Sequence, residues 1–379
     1  MTTARNTIRA ETRAPFVLYT GGTFGMRDFG GGLEVELNLE DSLTALIPPP
    51  EDAAEWRYLQ LEHIIDSADA NLAHALSVAA LIRAHADQAT GMVVVHGTDT
   101  LAYTAAVAAF ALIDLPFPII FTGAQRSVNE VDSDAPGNFA DACREAQTHT
   151  PGVRLAFGGS VVPAVRAIKR SSDAAEAFAA LRPIAPGAEG ARPLRLHGAD
   201  LSLMARIGRS VPGAPERATP SVGLLRVFPG FAPELVETAA GLYPDGIVLE
   251  CYGAGTAPMS TPGLYDAVSD ACGRGIPVVA LTQCHTGEVR IERYALGAAL
   301  RHAGAWSGSD LTADAALAKL GVLAALGFEG SARRRLFETN LVGEQRPRRG
   351  EISLGHEQAT ETATIAHSPS ISGRTTAST

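Results

Sequence analysis

Two short stretches place threonine hydroxyls directly after apolar runs. VLYTGGTFGM (17–26) carries Thr23 behind a pair of glycines, and VVVHGTDTLAYTAA (93–106) carries Thr98 and Asp99 where the apolar run ends. A threonine hydroxyl is a weak nucleophile unless a neighbouring base activates it, so a reactive threonine needs other polar residues beside it. The chemistry that these stretches suggest is nucleophilic attack by a threonine.

The first stretch differs from the glycine-rich loops that bind phosphate. A P-loop needs a lysine after its glycines, and a dinucleotide fingerprint needs its glycines to open a helix. Here no lysine follows, and a second glycine cluster at 30–32 stands where a helix would start. The pattern favours a strand, a tight turn and a mobile loop, with Thr23 at the carboxyl edge of a sheet. Taken alone, this stretch is better explained as a purely structural turn whose threonines cap backbone groups.

The second stretch predicts a strand that ends at Gly97 and a helix opened by the next three residues. A helix N-terminus presents unpaired N–H groups and a partial positive charge, which would suit a carboxylate ligand. Taken alone, Thr98 and Asp99 are better interpreted as plain helix caps. His96, just before them, is interpreted as a buried, hydrogen-bonded histidine rather than a ligand or a base.

Two further polar residues are candidates. Ser67, in DSAD (66–69), could bind a ligand or cap a helix, and capping is the simpler interpretation. Lys169, in VRAIKRSS, would ordinarily be solvated. It becomes a candidate for chemistry only if the fold places it beside Thr98 and Asp99.

The elements that must position these residues alternate along the chain. Almost wholly apolar runs at 16–20, 92–97 and 118–123 predict strands that are covered on both faces. Longer Ala/Leu-rich segments at 71–86 and 100–113 predict helices between them. This alternation indicates an α/β fold with a mostly parallel sheet. Such sheets bind ligands at the carboxyl ends of their strands, where both threonine stretches lie.

A second α/β block follows a break in the pattern. We expect two three-layer α/β/α domains, a larger one at 15–200 and a smaller one at 222–343. Residues 201–221 contain three prolines and no apolar period, which favours a linker. Residues 344–379 are polar and rich in Ser and Thr, which predicts a disordered tail.

Composition argues against several classes of function. The 379 residues carry a net charge of −10, which disfavours nucleic acid as a partner, and RPRR (346–349) is interpreted as a solvated run. The four cysteines are scattered, without the spacing of a zinc site or a disulfide framework. Neither a secretory signal nor an apolar run of the ~18 residues needed for a membrane span is present. We therefore expect a cytoplasmic protein that does not bind a membrane.

A set of segments carries a resemblance to a known family. They are YTGGTFGM, DSAD, HGTDTLAYTA, TGAQRS…SDAPGNFADA, RAIKRSSDAAEAF, ECYGAGTAP and LTQCHTGEV, in this order. Together they resemble the bacterial-type L-asparaginases, in their cytoplasmic type I branch, from about Pro15 to Gly343. The resemblance implies an amidohydrolase that converts L-asparagine to L-aspartate and ammonia through a threonine acyl-enzyme, without a metal or an organic cofactor.

The resemblance also implies a role for each candidate residue. Thr23 would be the nucleophile, and Thr98, Asp99 and Lys169 would form a second catalytic cluster. Lys169 could act as a base through Thr98 or a bound water. Ser67 and Asp99 would hold the substrate's α-carboxylate and α-amino group, while backbone N–H groups beside the two threonines would stabilise the oxyanion. The implied substrate-binding residues are Gly22, Ser67, Gly97, Thr98, Asp99 and Thr256.

The chain departs from the family pattern at two positions. Leu33 stands where the family has a loop tyrosine that helps to activate the nucleophile; neither Phe29 nor Tyr19 is an assured substitute. Thr256, in YGAGT, stands where a neighbouring subunit supplies an asparagine, and threonine lacks the amide's paired hydrogen-bonding groups. The family arrangement implies a homodimer or homotetramer.

Type I members can also carry a regulatory asparagine site at a cysteine that matches Cys284. For this chain a buried cysteine at a strand end is the preferred interpretation.

Three functions fit these observations. The first is an asparaginase, and the second is a deamidase of the same fold acting on glutamine or another small amide, which Thr256 would favour. The third is a non-catalytic amino-acid binder or regulator. The presence of all five polar candidates, from Thr23 to Lys169, argues against the third.

Overall fold

A computed structural model describes the chain over residues 13–28, 33–35, 39–47, 55–183 and 219–346. The strands of these residues are β1 (Ala14–Tyr19), β2 (Met26–Asp28), β3 (Leu33–Val35), β4 (Arg57–Gln60), β5 (Ala89–Val95), β6 (Pro118–Thr122), β7 (Gly152–Phe157), β8 (Ser160–Pro163), β9 (Ala167–Lys169), β10 (Phe178–Ala180), β11 (Gly223–Arg226), β12 (Ile247–Cys251), β13 (Val278–Thr282) and β14 (Trp306–Ser307). The helices are α1 (Glu40–Leu46), α2 (Leu72–Ala84), α3 (Leu101–Ala111), α4 (Ala135–Ala146), α5 (Pro233–Leu242), α6 (Leu264–Gly273), α7 (Ala295–His302), α8 (Ala313–Ala325) and α9 (Gly330–Glu338).

Two larger sheets organise the described residues, beside the two-stranded pairs β2–β3 and β9–β10. The first has the strand order β4-β1-β5-β6-β7-β8, and all of its strands are parallel except β8. The second has the order β11-β12-β13-β14 and is parallel throughout. The predicted α/β fold with a mostly parallel sheet is confirmed. Because β1 and β5 are neighbours in register, the turns that follow them lie side by side.

Alternate residues of β1 explain why its sequence is apolar throughout. Phe16 and Leu18 join an apolar cluster with α2 and α3, whereas Val17 and Tyr19 join a second cluster with α4 on the opposite face. Both faces of this strand are therefore buried, as a central strand of a three-layer α/β/α arrangement requires. The carboxyl end of β1 is therefore packed between the two helical layers.

The two sheets share part of one core. Helix α8 packs against α3, and a single apolar cluster contains Val94 and Ala105 together with Val248 and Ala316. The other face of the second sheet is covered by α5 and α6 in a separate apolar cluster.

Several expectations are corrected. The loop predicted behind Thr23 is in part a β-hairpin, because β2 pairs antiparallel with β3. Cys284 is exposed rather than buried, since β13 ends at Thr282, whose hydroxyl accepts the Cys284 N–H at 3.1 Å and turns the chain outward. Glu344 and Gln345, assigned to the polar tail, are buried instead. Residues 201–218 of the predicted linker lie outside the described residues, and so does the predicted tail beyond Arg346.

Within the described residues, no helix is both long and apolar enough to cross a membrane.

Candidate active site

The turns after β1 and β5 touch each other. Gly21 and Gly22 have φ angles of 115° and 91°, which favour glycine. A Cβ atom placed on Gly22 would lie 2.2 Å from the Cα atom of Gly97, so the two backbones meet with no room for a side chain. The residues that follow these glycines, Thr23 and Thr98, consequently lie at the same edge of the sheet.

Ser67 completes the contact between these turns. Its hydroxyl oxygen would lie 2.4 Å from a Cβ atom on Gly97, and it accepts the Asp99 N–H at 3.3 Å. The following helix α2 is capped by Asn71, which accepts the His74 N–H, so the capping interpretation of Ser67 is wrong; the local 3₁₀ turn is capped by Asp66. Ser67 is 4% exposed, and its hydroxyl is held at the edge of the site.

Thr100 is a positioning residue that the sequence reasoning did not single out. Its hydroxyl donates to the Ser67 carbonyl at 2.8 Å, which ties the start of α3 to the Ser67 turn. Helix α3 starts at Leu101 without a side-chain cap, so Thr98 and Asp99 do not cap it. The signal in the sequence that could have marked Thr100 is that it follows two other polar residues, Thr98 and Asp99, in the run TDT.

Lys169 reaches the second threonine stretch from a distant part of the chain. It ends β9, which pairs antiparallel with β10. Its Nζ atom lies 2.9 Å from the Thr98 hydroxyl oxygen and 2.7 Å from Asp99 Oδ1. The Lys169 side chain is 22% exposed and that of Asp99 is 58% exposed, so the pair borders open space. The condition under which Lys169 becomes a candidate for chemistry is therefore met.

Thr23 stands at the start of a single 3₁₀ turn, Thr23–Gly25, and is partly buried. Within the described part of the chain its hydroxyl has no hydrogen-bond partner, and neither do the backbone N–H groups of Thr23 and Thr98. Unpaired backbone N–H groups at a reactive site can serve as the donors that an oxyanion requires. The arrangement can therefore supply a nucleophile, a polar relay and an oxyanion site.

The hairpin behind Thr23, where the family has a loop tyrosine, is described by its backbone pairing. Leu33 starts β3 and is paired opposite Asp28 in the hairpin, while Phe29 lies outside the described residues. Tyr19 is fully buried beneath the 3₁₀ turn, and a Cβ atom on Gly25 would lie 2.5 Å from its hydroxyl oxygen.

Thr256 is not joined to this cluster. It lies in the turn after β12, where its carbonyl accepts the Tyr252 N–H at 2.9 Å. No hydrogen bond connects it to Thr23, Ser67 or Lys169 within the described ranges. Its predicted contribution to a neighbouring subunit stays a prediction.

His96 is buried next to the site, as the sequence predicted. It is 1% exposed, and its Nδ1 atom lies 2.8 Å from the carbonyl oxygen of Gly97. Burial lowers the pKa of His96 to about 4, opposed by the Gly97 hydrogen bond and assisted by nearby His74. The imidazole is therefore neutral at physiological pH.

This burial predicts an acid-sensitive contribution to stability. Between about pH 6.5 and 4 the unfolded chain binds a proton at His96 that the folded chain does not. The free energy of unfolding should therefore fall on acidification, by about 3 kcal/mol from this residue. Asp314 has the opposite effect on the free energy of unfolding. Burial raises its pKa to about 6, so the folded chain binds this proton more readily than the unfolded chain and gains stability on acidification.

Urea unfolding of the wild type and of His96→Asn at pH 7 and pH 4.5 separates the two effects, because Asp314 is present in both proteins. The wild type should lose more stability than the variant. Parallel losses would show that His96 does not contribute.

Among the described residues, no group of three or more His, Cys, Asp or Glu side chains is arranged to hold a metal ion.

Comparisons with known proteins cover both halves of the chain. The family model described as "Asparaginase, N-terminal" matches residues 16–190, and "Glutaminase/Asparaginase C-terminal domain" matches residues 221–337. L-asparaginase 1 of Escherichia coli (strain K12) is 33% identical over 344 residues, which cover 89% of this chain and 99% of that protein. The 60 kDa lysophospholipase of Mus musculus is 33% identical over 363 residues, which cover 88% of this chain and 62% of that protein.

A solved structure agrees with these matches. The thermostable L-asparaginase from Thermococcus kodakarensis superposes with a TM-score of 0.72 at 27% identity, over 88% of this chain and 100% of that one. The chain therefore belongs to the asparaginase/glutaminase family, in its type I L-asparaginase branch, and is an L-asparaginase-like amidohydrolase.

Proposed function

We propose that this chain hydrolyses L-asparagine to L-aspartate and ammonia through an acyl-enzyme formed on Thr23. The observation that carries the proposal is the contact of Lys169 Nζ with both Thr98 Oγ1 and Asp99 Oδ1 at 2.9 Å and 2.7 Å. These side chains stand beside the meeting point of the two glycine turns. The site thus combines a hydroxyl nucleophile with a relay made of a hydroxyl, an amine and a carboxylate, as acyl transfer by threonine needs.

The chemical steps follow from these positions. The Thr23 hydroxyl oxygen attacks the side-chain amide carbon, and its proton passes to the departing nitrogen, which leaves as ammonia. The unpaired N–H groups of Thr23 and Thr98 stabilise the negative oxygen that forms. Water then attacks the ester carbon and gives up a proton through the Thr98 hydroxyl to the Lys169 amine. The same relay returns a proton to the departing Thr23 oxygen, which releases aspartate and the free Thr23 hydroxyl.

Binding of the amino-acid end is assigned to Asp99 and Ser67. The carboxylate of Asp99 is engaged by Lys169 through Oδ1, which leaves Oδ2 for an α-ammonium group. The Ser67 hydroxyl and the N-terminal end of α3 suit an α-carboxylate, because the helix end carries partial positive charge. The two groups would thus hold opposite charges of one amino acid.

The nucleophile is tested by ammonia release from asparagine. We expect Thr23→Ala to lower kcat by about 10³-fold or more, because no acyl-enzyme can form. Thr23→Ser, which keeps a hydroxyl, should retain measurable turnover and accumulate label from a carbonyl-labelled substrate. Ammonia release that survives Thr23→Ala would sink the assignment.

Thr256 favours a second candidate, a deamidase that acts on glutamine or another small amide. A threonine cannot reproduce the amide donor and acceptor of asparagine, so recognition of the α-amino end would change. A panel of amides, run with the wild type and Thr256→Asn, decides between the candidates. Turnover of glutamine or a larger amide in preference to asparagine supports the second. Binding of asparagine or aspartate without hydrolysis of any amide supports a regulator.

We also propose that the chain acts as a homodimer or homotetramer in the cytoplasm. The isolated position of Thr256 supports a shared site, and the four free cysteines, Cys143, Cys251, Cys272 and Cys284, fit a reducing compartment. Light scattering after size exclusion tests the assembly. A fully active monomer would contradict it.

A further inference from the structure

A cavity of 880 Å³ in the C-terminal part of the chain is separate from the site described above. Its walls are residues 288–293, Arg301 on α7, and Ser307 and Ser309 at the end of β14; Arg346 closes one side. The segment 288–293 is held to the β14 end by a hydrogen bond from the Val289 N–H to the Ser309 carbonyl at 2.9 Å. The cavity therefore has a defined framework.

The charges around this cavity do not balance. Four arginines and two glutamates line it, an excess of two positive charges. Glu288 neutralises Arg290 at 2.9 Å, and Glu292 neutralises Arg301 at 3.0 Å. The net charge of the chain is −10, so clustered arginines do not add to the charge that keeps it soluble.

The two remaining arginines carry the excess. Arg293 stacks its guanidinium over the Tyr294 ring at 5.4 Å and has no carboxylate partner in the described part of the chain. Arg346 lies 3.5 Å from Asp310, but that carboxylate is already bound by Arg166 at 3.0 Å. Neither guanidinium is therefore fully neutralised.

The surplus of positive charge continues behind Arg346. Arg182 donates to backbone carbonyls, among them that of Asp310 at 3.2 Å, while the fully buried Asp310 carboxylate is shared by Arg166 and Arg346. The Nη2 atom of Arg166 and the Nε atom of Arg182 are buried with no hydrogen-bond partner among the described residues. Arg346 meets this shared carboxylate only through its Nε atom at 3.5 Å, which leaves its other guanidinium donors able to engage an anion on its cavity side.

The cavity beside Asp99 provides a contrast. It is lined by Asp99 and Asp314 and by no lysine or arginine of the described chain. Of these two cavities, only the 880 Å³ cavity has an excess of arginine.

We propose that this cavity binds a small dianion, such as a dicarboxylate or a phosphate, between Arg293 and Arg346. A guanidinium presents paired N–H donors that match the two oxygens of a carboxylate or phosphate group. Two guanidiniums that lack full carboxylate partners suit a ligand with two negative charges, and the Ser307 and Ser309 hydroxyls add neutral donors on the same wall.

Calorimetric titration of the full chain tests the site, with succinate, inorganic phosphate and acetate as probes at constant ionic strength. We expect saturable binding of succinate or phosphate and none of acetate. Arg293→Gln and Arg346→Gln should each weaken binding by about tenfold, the loss of one charge-assisted contact. Arg274→Gln, which removes an exposed arginine outside this cavity, should leave binding unchanged.

The two probes also identify the ligand. Tighter binding of succinate indicates a dicarboxylate, and tighter binding of phosphate indicates a phosphate group. Heat that chloride reproduces at equal ionic strength would overturn the proposal, as would an equal loss of binding in Arg274→Gln. The titration needs no amide substrate, so its outcome is independent of hydrolysis at Thr23.

Discussion

Replacing Lys169 by methionine is expected to lower kcat for amide hydrolysis by about 10²- to 10⁴-fold, the usual contribution of a positioned acid or base. Methionine keeps most of the length and packing of the side chain but removes the amine that contacts Thr98 and Asp99. KM should change only a few-fold, because Asp99 keeps its carboxylate for the substrate. Steady-state kinetics of ammonia release at pH 7 provides the measurement.

Lys169→Arg separates the two roles that the amine could have. Arginine preserves the positive charge beside Asp99 but does not give up a proton in proteins. If Lys169 relays protons through Thr98, the arginine variant should be nearly as inactive as the methionine variant. An active Lys169→Arg enzyme would limit Lys169 to an electrostatic role. A fully active Lys169→Met enzyme would exclude the residue from the mechanism.

Lys319→Met is expected to lower the free energy of unfolding by about 3–5 kcal/mol, because it leaves a buried glutamate without its counter-charge. Lys319 and Glu344 are both 0% exposed, and Nζ lies 2.5 Å from Oε1. The same ammonium donates to the carbonyls of Phe337 and Thr339 at 2.7 Å and 2.6 Å. It therefore joins α8 to the chain that follows α9. Urea unfolding followed by circular dichroism gives the value.

The double variant Lys319→Met/Glu344→Gln is the matched control. It removes both charges, so it should recover much of the stability that the single variant loses. Arg290→Met breaks the half-exposed Arg290–Glu288 pair and should cost less than about 1 kcal/mol. A double variant that is less stable than Lys319→Met would contradict this account. It would mean that Glu344 stabilises the fold mainly through the hydrogen bonds that its carboxylate accepts from the N–H groups of Leu341 and Val342.

Much of the framework could be predicted because it depends on local patterns. Runs such as 92–97 and 118–123 are apolar at every position, which only a strand covered on both faces explains well. In the structure, β5 spans Ala89–Val95 and β6 spans Pro118–Thr122, within a few residues of those runs. The short hairpin of β2 and β3 was missed, because Met26–Asp28 and Leu33–Val35 are three residues long and carry no clear period.

By itself the sequence determined the fold class and the family. It also indicated that the stretches around Thr23 and Thr98 are candidate active-site segments. Those properties follow from hydrophobic period and from short motifs, which neighbouring residues define. Only the tertiary structure decided which side chains meet. Lys169 contacts Asp99 across 70 positions of sequence, and Arg166 contacts Asp310 across 144. Likewise, Cys284 faces solvent while Lys319 is buried. A charged or sulfur-bearing residue has the same local pattern in either setting, and its partner is chosen by the packing of distant strands and helices.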